Sequence, residues 1–484
     1  VIVKLSSVLK GGRLIATDKE VVEFILSTEA DRRIAQSTIL ANQAHVIALT
    51  RAKAIKQKDS KKLLHALRRL EKRMIYQRGL EDVHVLIEEY VTRECGSETG
   101  GLLHIGKSRN DQVTTAIRLT LRDELLSLSN QLLAFERSIL QLATRHTKTV
   151  FPGYTHLQPA QPITFAHYLL ALCDSLIRDE ERVHEAFVRV NKSPMGGGAL
   201  AGTTFNINRL LVAHLLGFRG LVENSLDAVQ SRDFALDALS ACSMTALDLS
   251  RCAQDLITFS PANLLEMPDE FSSTSSIMPQ KMNPDPLELL RAKGAIIIGN
   301  YNSSATILHA LPSGYNLDFQ EITPLLWQSL DSLKSCLKML GRLVPRLKLK
   351  AASDIRKELT ATTEVANILV RKESISFRVA HRSVGQAVRT ALAKKVMLKD
   401  FSQVDWEQVV GRQLQSRTMR SIREALDLDK HIYAYRTLGS PNPTKCKRMI
   451  RYRMRKVELL FERNRLTQIA LSRTLRKLRT IASS

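Results

Sequence analysis

The run from Lys107 to Phe151, without a glycine or a proline, restricts this chain more than any other feature. Along it Ile117, Leu121, Leu125, Leu128, Leu132, Phe135, Ile139 and Leu142 recur three and four residues apart. That period marks one face of an α-helix. A seam of this length predicts a single helix over about 109–149 that buries its stripe against other helices. A second such run, from Leu221 to Ser260, carries Leu239, Cys242, Ala246, Leu249, Ala253 and Leu256. Its small residues suit close packing in a multi-helix core. Further helices are expected at about 163–190, 226–259, 286–310 and 324–340, the last closed by Gly341 and Pro345. Alternating β-branched stretches are scarce. The 5% of aromatic residues suits aliphatic helix packing better than a sandwich. The expected fold is all-α: an elongated central bundle of long helices flanked by two smaller helical domains.

A chain of 484 residues is too long for one simple core. The expected division is 1–112, mostly helical after a turn at Gly11–Gly12; 113–358, the bundle; and 359–484. The last begins with a small helical unit over 359–400, breaks between Leu426 and Pro443, and ends in a basic helix with Ile450, Met454, Val457 and Phe461 on one face. No apolar run reaches the ~20 residues of a membrane span, and no secretory leader is seen. The six cysteines are scattered and form no C-x-x-C pair. That argues against a zinc site or a disulfide framework, and Cys242, Cys252 and Cys336 read as packed thiols. A reducing, cytoplasmic location is expected.

The formal net charge is +23, and residues 445–479 hold thirteen Lys and Arg against two Glu. The preferred reading is a solvated helix face whose cations answer acidic patches elsewhere in an oligomer. Binding to nucleic acid or an anionic surface is the alternative.

Between the helices lie loops with the residue types of a site. Ser272–Glu288 alternates hydroxyls, Lys281 and Asn283 with structure-breaking residues, and Pro284 and Pro286 suit the first turn of a following helix. Ser108–Asp111 sits at the start of the longest helix, where free N–H groups favour a carboxylate; read alone, Ser108 and Asp111 equally well just cap it. Phe151–Pro162 is a loop rich in proline and amides that leads into the next helix. Pro194–Gly202 lacks a Walker lysine and a preceding strand, so nucleotide binding there is rejected. His84 reads as a core or helix-surface histidine.

Ser275-Ser276, Met278-Pro279, Lys281, Asn283 and Glu288 together resemble the signature of the fumarase/aspartase superfamily. One branch, the argininosuccinate lyase/δ-crystallin family, is resembled more closely. The segments are Gly106–Val113, Pro152–Gln158 with Ala160–Pro162, Gly198–Thr203, Asn224–Val229 with Arg232–Phe234, and Arg371-Lys372, Phe377-Arg378 and Ala380-His381. The likeness spans about residues 30–440.

The resemblance implies a fumarase/aspartase-like fold and a homotetramer whose active sites are shared between subunits. It implies cleavage of argininosuccinate to arginine and fumarate, in arginine biosynthesis, without metal or organic cofactor. By the same resemblance Ser275 is the base, Lys281 and Asn283 hold the developing charge, and His156 pairs with Glu288 to polarise the departing nitrogen. Arg109, Asn110 and Thr155 bind substrate carboxylates, Tyr315 and Gln320 grip the rest, and Ser276 joins the binding set.

The chain departs from the family at Ile105, Lys107, Thr274 and Met282. Asn42 stands where a substrate-contacting serine is usual, and Thr323 where many members have lysine. The last two bear on recognition of the arginine end. Two rival readings are another fumarate-releasing lyase and a crystallin-like structural paralogue without activity.

Overall fold

The computed structural model describes residues 18–73, 82–350 and 359–483. The expected Gly11–Gly12 turn and the 358/359 boundary lie outside them. The fold is all-α, with four two-stranded ribbons among the described residues. We number the principal helices α1 (Ala35–Arg51), α2 (Gln57–Arg73), α3 (Val83–Cys95), α4 (Arg109–Arg145), α5 (Phe165–Val190), α6 (Asp233–Phe259), α7 (Asp285–Leu308), α8 (Phe319–Leu343), α9 (Thr362–Glu373), α10 (Phe377–Lys394), α11 (Ser416–Leu426), α12 (Leu428–Ala434) and α13 (Pro443–Ile481).

The central helix α4 forms because its start is capped twice. Ser108 accepts from the Asn110 N–H, and Asp111 reaches back to the Ser108 N–H at 3.0 Å. All eight residues of its seam are buried, as are the six of the seam on α6. These helices pack with α5, α7 and α8 as the bundle.

Three boundaries differ from expectation. The 226–259 helix breaks into Ser225–Gln230 and α6. The buried Arg232 guanidinium donates to the carbonyls of Val229 and Ser231, at 3.2 and 2.8 Å, and so competes for acceptors that a continuous helix would use. Helix α8 starts at Phe319, which puts Pro324 inside it rather than at its first turn. The loop at 151–162 is a β-hairpin, β1 (Val150–Thr155) with β2 (Gln158–Thr164), and its tip is His156-Leu157. Both tip residues have positive φ, 51° and 58°. That is the backbone a two-residue hairpin turn demands, at some strain for residues other than glycine.

One apolar core runs from Ile34 to Leu347 and takes in Cys446, Ile450, Val457, Leu471, Leu478 and Ala482 of α13. Residues 361–426 bury a separate, smaller core around Trp406. The last helix therefore packs on the bundle and not with the small unit that precedes it. Among the described residues no helix is long and apolar enough to cross a membrane. The cysteines are free; Cys242, Cys252 and Cys336 are buried, as expected of packed thiols.

Candidate active site

The start of α4 is fixed from three sides. Asp111 is wholly buried, and one carboxylate oxygen accepts from the N–H groups of Gly196 and Gly198, both at 2.9 Å. The small-residue loop 194–202 is thus an anion cradle filled by the protein's own carboxylate. Gly198 has φ +62°, and a Cβ there would lie 2.5 Å from the Gly202 carbonyl, so the loop needs glycine. Burial pushes the Asp111 carboxyl up to about 6, while the N–H bonds pull it back. Asn110, one residue earlier, donates to the Ala199 carbonyl at 3.1 Å.

Beside it lies a cleft of ≈ 130 Å³. Arg109, Asn110, Tyr315 and Gln320 line it together. Arg109 sits 2.6 Å from Asp82, which caps α3. Burial raises the Tyr315 phenol above its ordinary range, so it stays a donor. Gln320 donates its amide to the Ile25 carbonyl at 3.0 Å, leaving the amide oxygen for the cleft. Thr323, 6% exposed, also lines the wall.

Sequence reasoning missed Asp31, Asp82 and Arg232 here and assigned His84 to packing. His84 is 5% exposed with neither ring nitrogen partnered among the described residues, and burial lowers it to about 4, so it is neutral. The Asp31 carboxyl is raised to about 6, chiefly by burial. The acidic residues carried no pattern beyond that of ordinary helix starts.

Ser275 and Ser276 lie on a seven-residue loop, 275–281, between strands β3 (Ser273–Thr274) and β4 (Met282–Asn283). The ribbon is anchored by Ser273, which donates to Asp285. The Ser275 oxygen accepts from the N–H groups of Ile277 and Met278, at 3.4 and 3.2 Å. Donors aimed at that oxygen favour its anionic form. Lys281 is exposed, Asn283 half-buried, and Glu288 exposed on the first turn of α7. Thr155 and His156 are exposed at the hairpin tip.

Within one chain the candidates therefore fall into three groups, and only the first lines the cleft. His156 and Glu288 do not pair with each other. A larger cavity of ≈ 800 Å³ lies between the small C-terminal unit and Gln161, and none of the expected site residues lines it.

Comparison with known proteins agrees with the fold. The chain superposes on an EDDS lyase in complex with formate with a TM-score of 0.86, at 27% identity, covering 93% of this chain and 91% of that one. A class II fumarase from Schistosoma mansoni shares the fold at a TM-score of 0.68 and 17% identity, over 82% and 91% of the two chains. Fold and loops together define a lyase of the fumarase/aspartase class. The family described as lyase matches residues 13–299, and the argininosuccinate lyase C-terminal family matches 359–433. Argininosuccinate lyases of Methanosarcina mazei and Methanococcus vannielii are each 39% identical over 94% of this chain, and over 94% and 95% of their own lengths. The chain belongs to the argininosuccinate lyase family.

Proposed function

We propose that this protein cleaves argininosuccinate to arginine and fumarate by general-base elimination. We further infer that it works in the cytoplasm, in arginine biosynthesis, as a homotetramer with active sites shared between subunits. The observation that carries this reading is the division of the candidates. The cleft holds Arg109, Asn110, Tyr315 and Gln320 but is ≈ 130 Å³, against the roughly 300 Å³ or more of a ligand pocket. The other two groups stand exposed or half-buried on other parts of the chain, free to complete a neighbour's cleft.

In this mechanism the N-terminus of α4, with Arg109, Asn110 and a neighbouring Thr155, holds the substrate carboxylates. Ser275 takes the weakly acidic C–H proton beside a carboxylate; its two backbone donors stabilise the alkoxide that does so. The charge that develops on the carboxylate is held by Lys281 and Asn283, with Ser276 in the binding set. Each ~1.4 kcal/mol of such stabilisation is tenfold in rate. His156, polarised by Glu288 of another subunit, faces the departing nitrogen. Tyr315 and Gln320 hold the arginine end.

The test is fumarate absorbance after mixing with argininosuccinate, beside a Ser275→Ala variant. Fumarate from the parent and not from the variant supports both substrate and base. No fumarate from folded oligomer turns the reading to a different succinyl substrate. In that outcome the likeness to EDDS lyase and the presence of Thr323 in the cleft point to where the substrate differs.

A further inference from the structure

The basic last helix separates its charges into two kinds. Of the thirteen Lys and Arg residues between 445 and 479, four answer acids on other helices, three on α5 and one on α2. Arg453 pairs with Asp174 at 2.6 Å, Lys456 with Glu181 at 2.7 Å, Arg479 with Glu71 at 2.7 Å, and Arg463 with Glu180. Arg465 pairs within the helix with Glu462, and Lys445 donates to the carbonyls of residues 435–437. Thirteen less these six leaves seven: Lys447, Arg448, Arg451, Arg455, Arg473, Arg476 and Lys477. All seven are exposed, and none pairs with a described carboxylate. The helix already buries Cys446, Ile450, Val457, Leu471 and Leu478, so the seven add nothing to its docking.

They form two patches on α13, 447–455 and 473–477, whose centres lie about 25 residues apart. At 1.5 Å per residue that is about 38 Å, close to one turn of duplex, about 34–36 Å. The line between them carries Tyr452, Leu459, Leu466 and Ile469, each exposed, but Arg455 and Glu462 interrupt it. A membrane-inserted helix needs a continuous apolar face, and this one has already spent its apolar stripe on the bundle. A second copy of the same face would set like charges against each other.

We propose that the outer face of α13 binds the phosphate backbone of duplex nucleic acid, one patch to each of two sites a turn apart. Base identity is not read. The chemistry is cation to phosphate, with counterion release.

Fluorescence anisotropy of a labelled duplex of about 20 base pairs, titrated with the full chain, tests it. Seven phosphate contacts give a slope of log K on log salt near −6. Binding then weakens by about a thousandfold or more between 50 and 200 mM salt. Gln at all seven positions removes that slope while fumarate release and sedimentation stay at parent values. Arg473→Gln, Arg476→Gln and Lys477→Gln alone reduce the slope by about 3. A duplex of about 8 base pairs, too short to reach both patches, binds the parent no better than it binds this triple variant. Parent-like affinity and slope in the sevenfold variant overturn the proposal. Binding to phosphatidylserine vesicles but not to duplex overturns it in favour of lipid. A changed sedimentation coefficient in the variant overturns it in favour of a contact between copies.

Discussion

Lys107 donates its ammonium hydrogen bond to the side-chain oxygen of Asn42, and both residues are buried. Asn42 is 0% exposed, and its amide donates to the Thr38 carbonyl at 3.0 Å. The family resemblance leads one to expect serine at 42 and arginine at 107; here both differ, and the two meet. Asn42 does not line the cleft. Its place is in packing under the start of α4, which moves the question of arginine-end recognition to Thr323.

Breaking this pair is expected to cost stability and not recognition. Asn42→Ala strands a buried ammonium and destabilises by about 1.5–3 kcal/mol, the worth of a hydrogen bond to a charged group. Lys107→Met alone leaves a neutral amide and costs less. The double variant Asn42→Ala with Lys107→Met loses less than the sum, because no polar group is left alone. Urea denaturation of the four proteins gives the coupling, and additive losses contradict it. Burial holds Lys107 down to about 8, below its ordinary 10.5. The unfolded chain binds the extra proton between those values, so this group's contribution to stability rises as pH climbs from about 8 to 10.5.

Glu136 makes the opposite contribution. It is fully buried in α4, neither oxygen has a hydrogen-bond partner among the described residues, and burial with Glu180 and Asp179 nearby raises it to about 9. The folded protein then holds a proton that the unfolded chain releases above its ordinary 4.5. Stability from this group is fully present below about 4.5 and is lost as pH rises through 9. Glu136→Met removes the titration. Its melting temperature should exceed the parent's by more at pH 9 than at pH 5, and equal differences at the two values refute the assignment.

How far these features could be read beforehand depends on how local their cause is. The seams of α4 and α6 were legible because a helix repeats its contacts every three to four residues. Arg109 and Asn110 were legible because a helix start is itself a chemical signal. The hairpin at 150–164 was not, since Pro152, Gly153, Pro159 and Pro162 erase strand alternation. It is held in part from outside by Tyr435, 273 residues away. Asp31 and Asp82 reach the cleft only through the packing of three segments, which no local pattern encodes.

Tyr435 is therefore expected to act at a distance on the elimination. Its hydroxyl donates to the Pro162 carbonyl of β2 at 3.0 Å, and burial lifts the phenol to about 12, so it donates at every working pH. The strand it holds begins at the turn bearing His156. Tyr435→Phe removes one hydrogen bond, worth about 0.5–1.5 kcal/mol. We expect kcat to fall by about two- to tenfold with KM nearly unchanged. A rise in KM alone, with kcat intact, shows that the hairpin does not depend on this bond for its position.

Asp31 should set the acid limb of the activity. It lines the cleft, accepts from Ser27 at 2.6 Å, and forms no ion pair among the described residues, whereas Asp82 already faces Arg109. In the proposed site it is the carboxylate open to the cationic end of argininosuccinate. Its carboxyl is raised to about 6 by burial, so the charge is lost as pH falls through that value. kcat/KM should then drop below about pH 6. Asp31→Asn keeps the shape and removes the charge. The loss of a charge-assisted hydrogen bond, about 1.5–3 kcal/mol, raises KM by roughly 10- to 150-fold at pH 8. The limb near pH 6 should vanish in the variant. A limb that survives in Asp31→Asn assigns the titration to another group, and an unchanged KM removes Asp31 from the binding set.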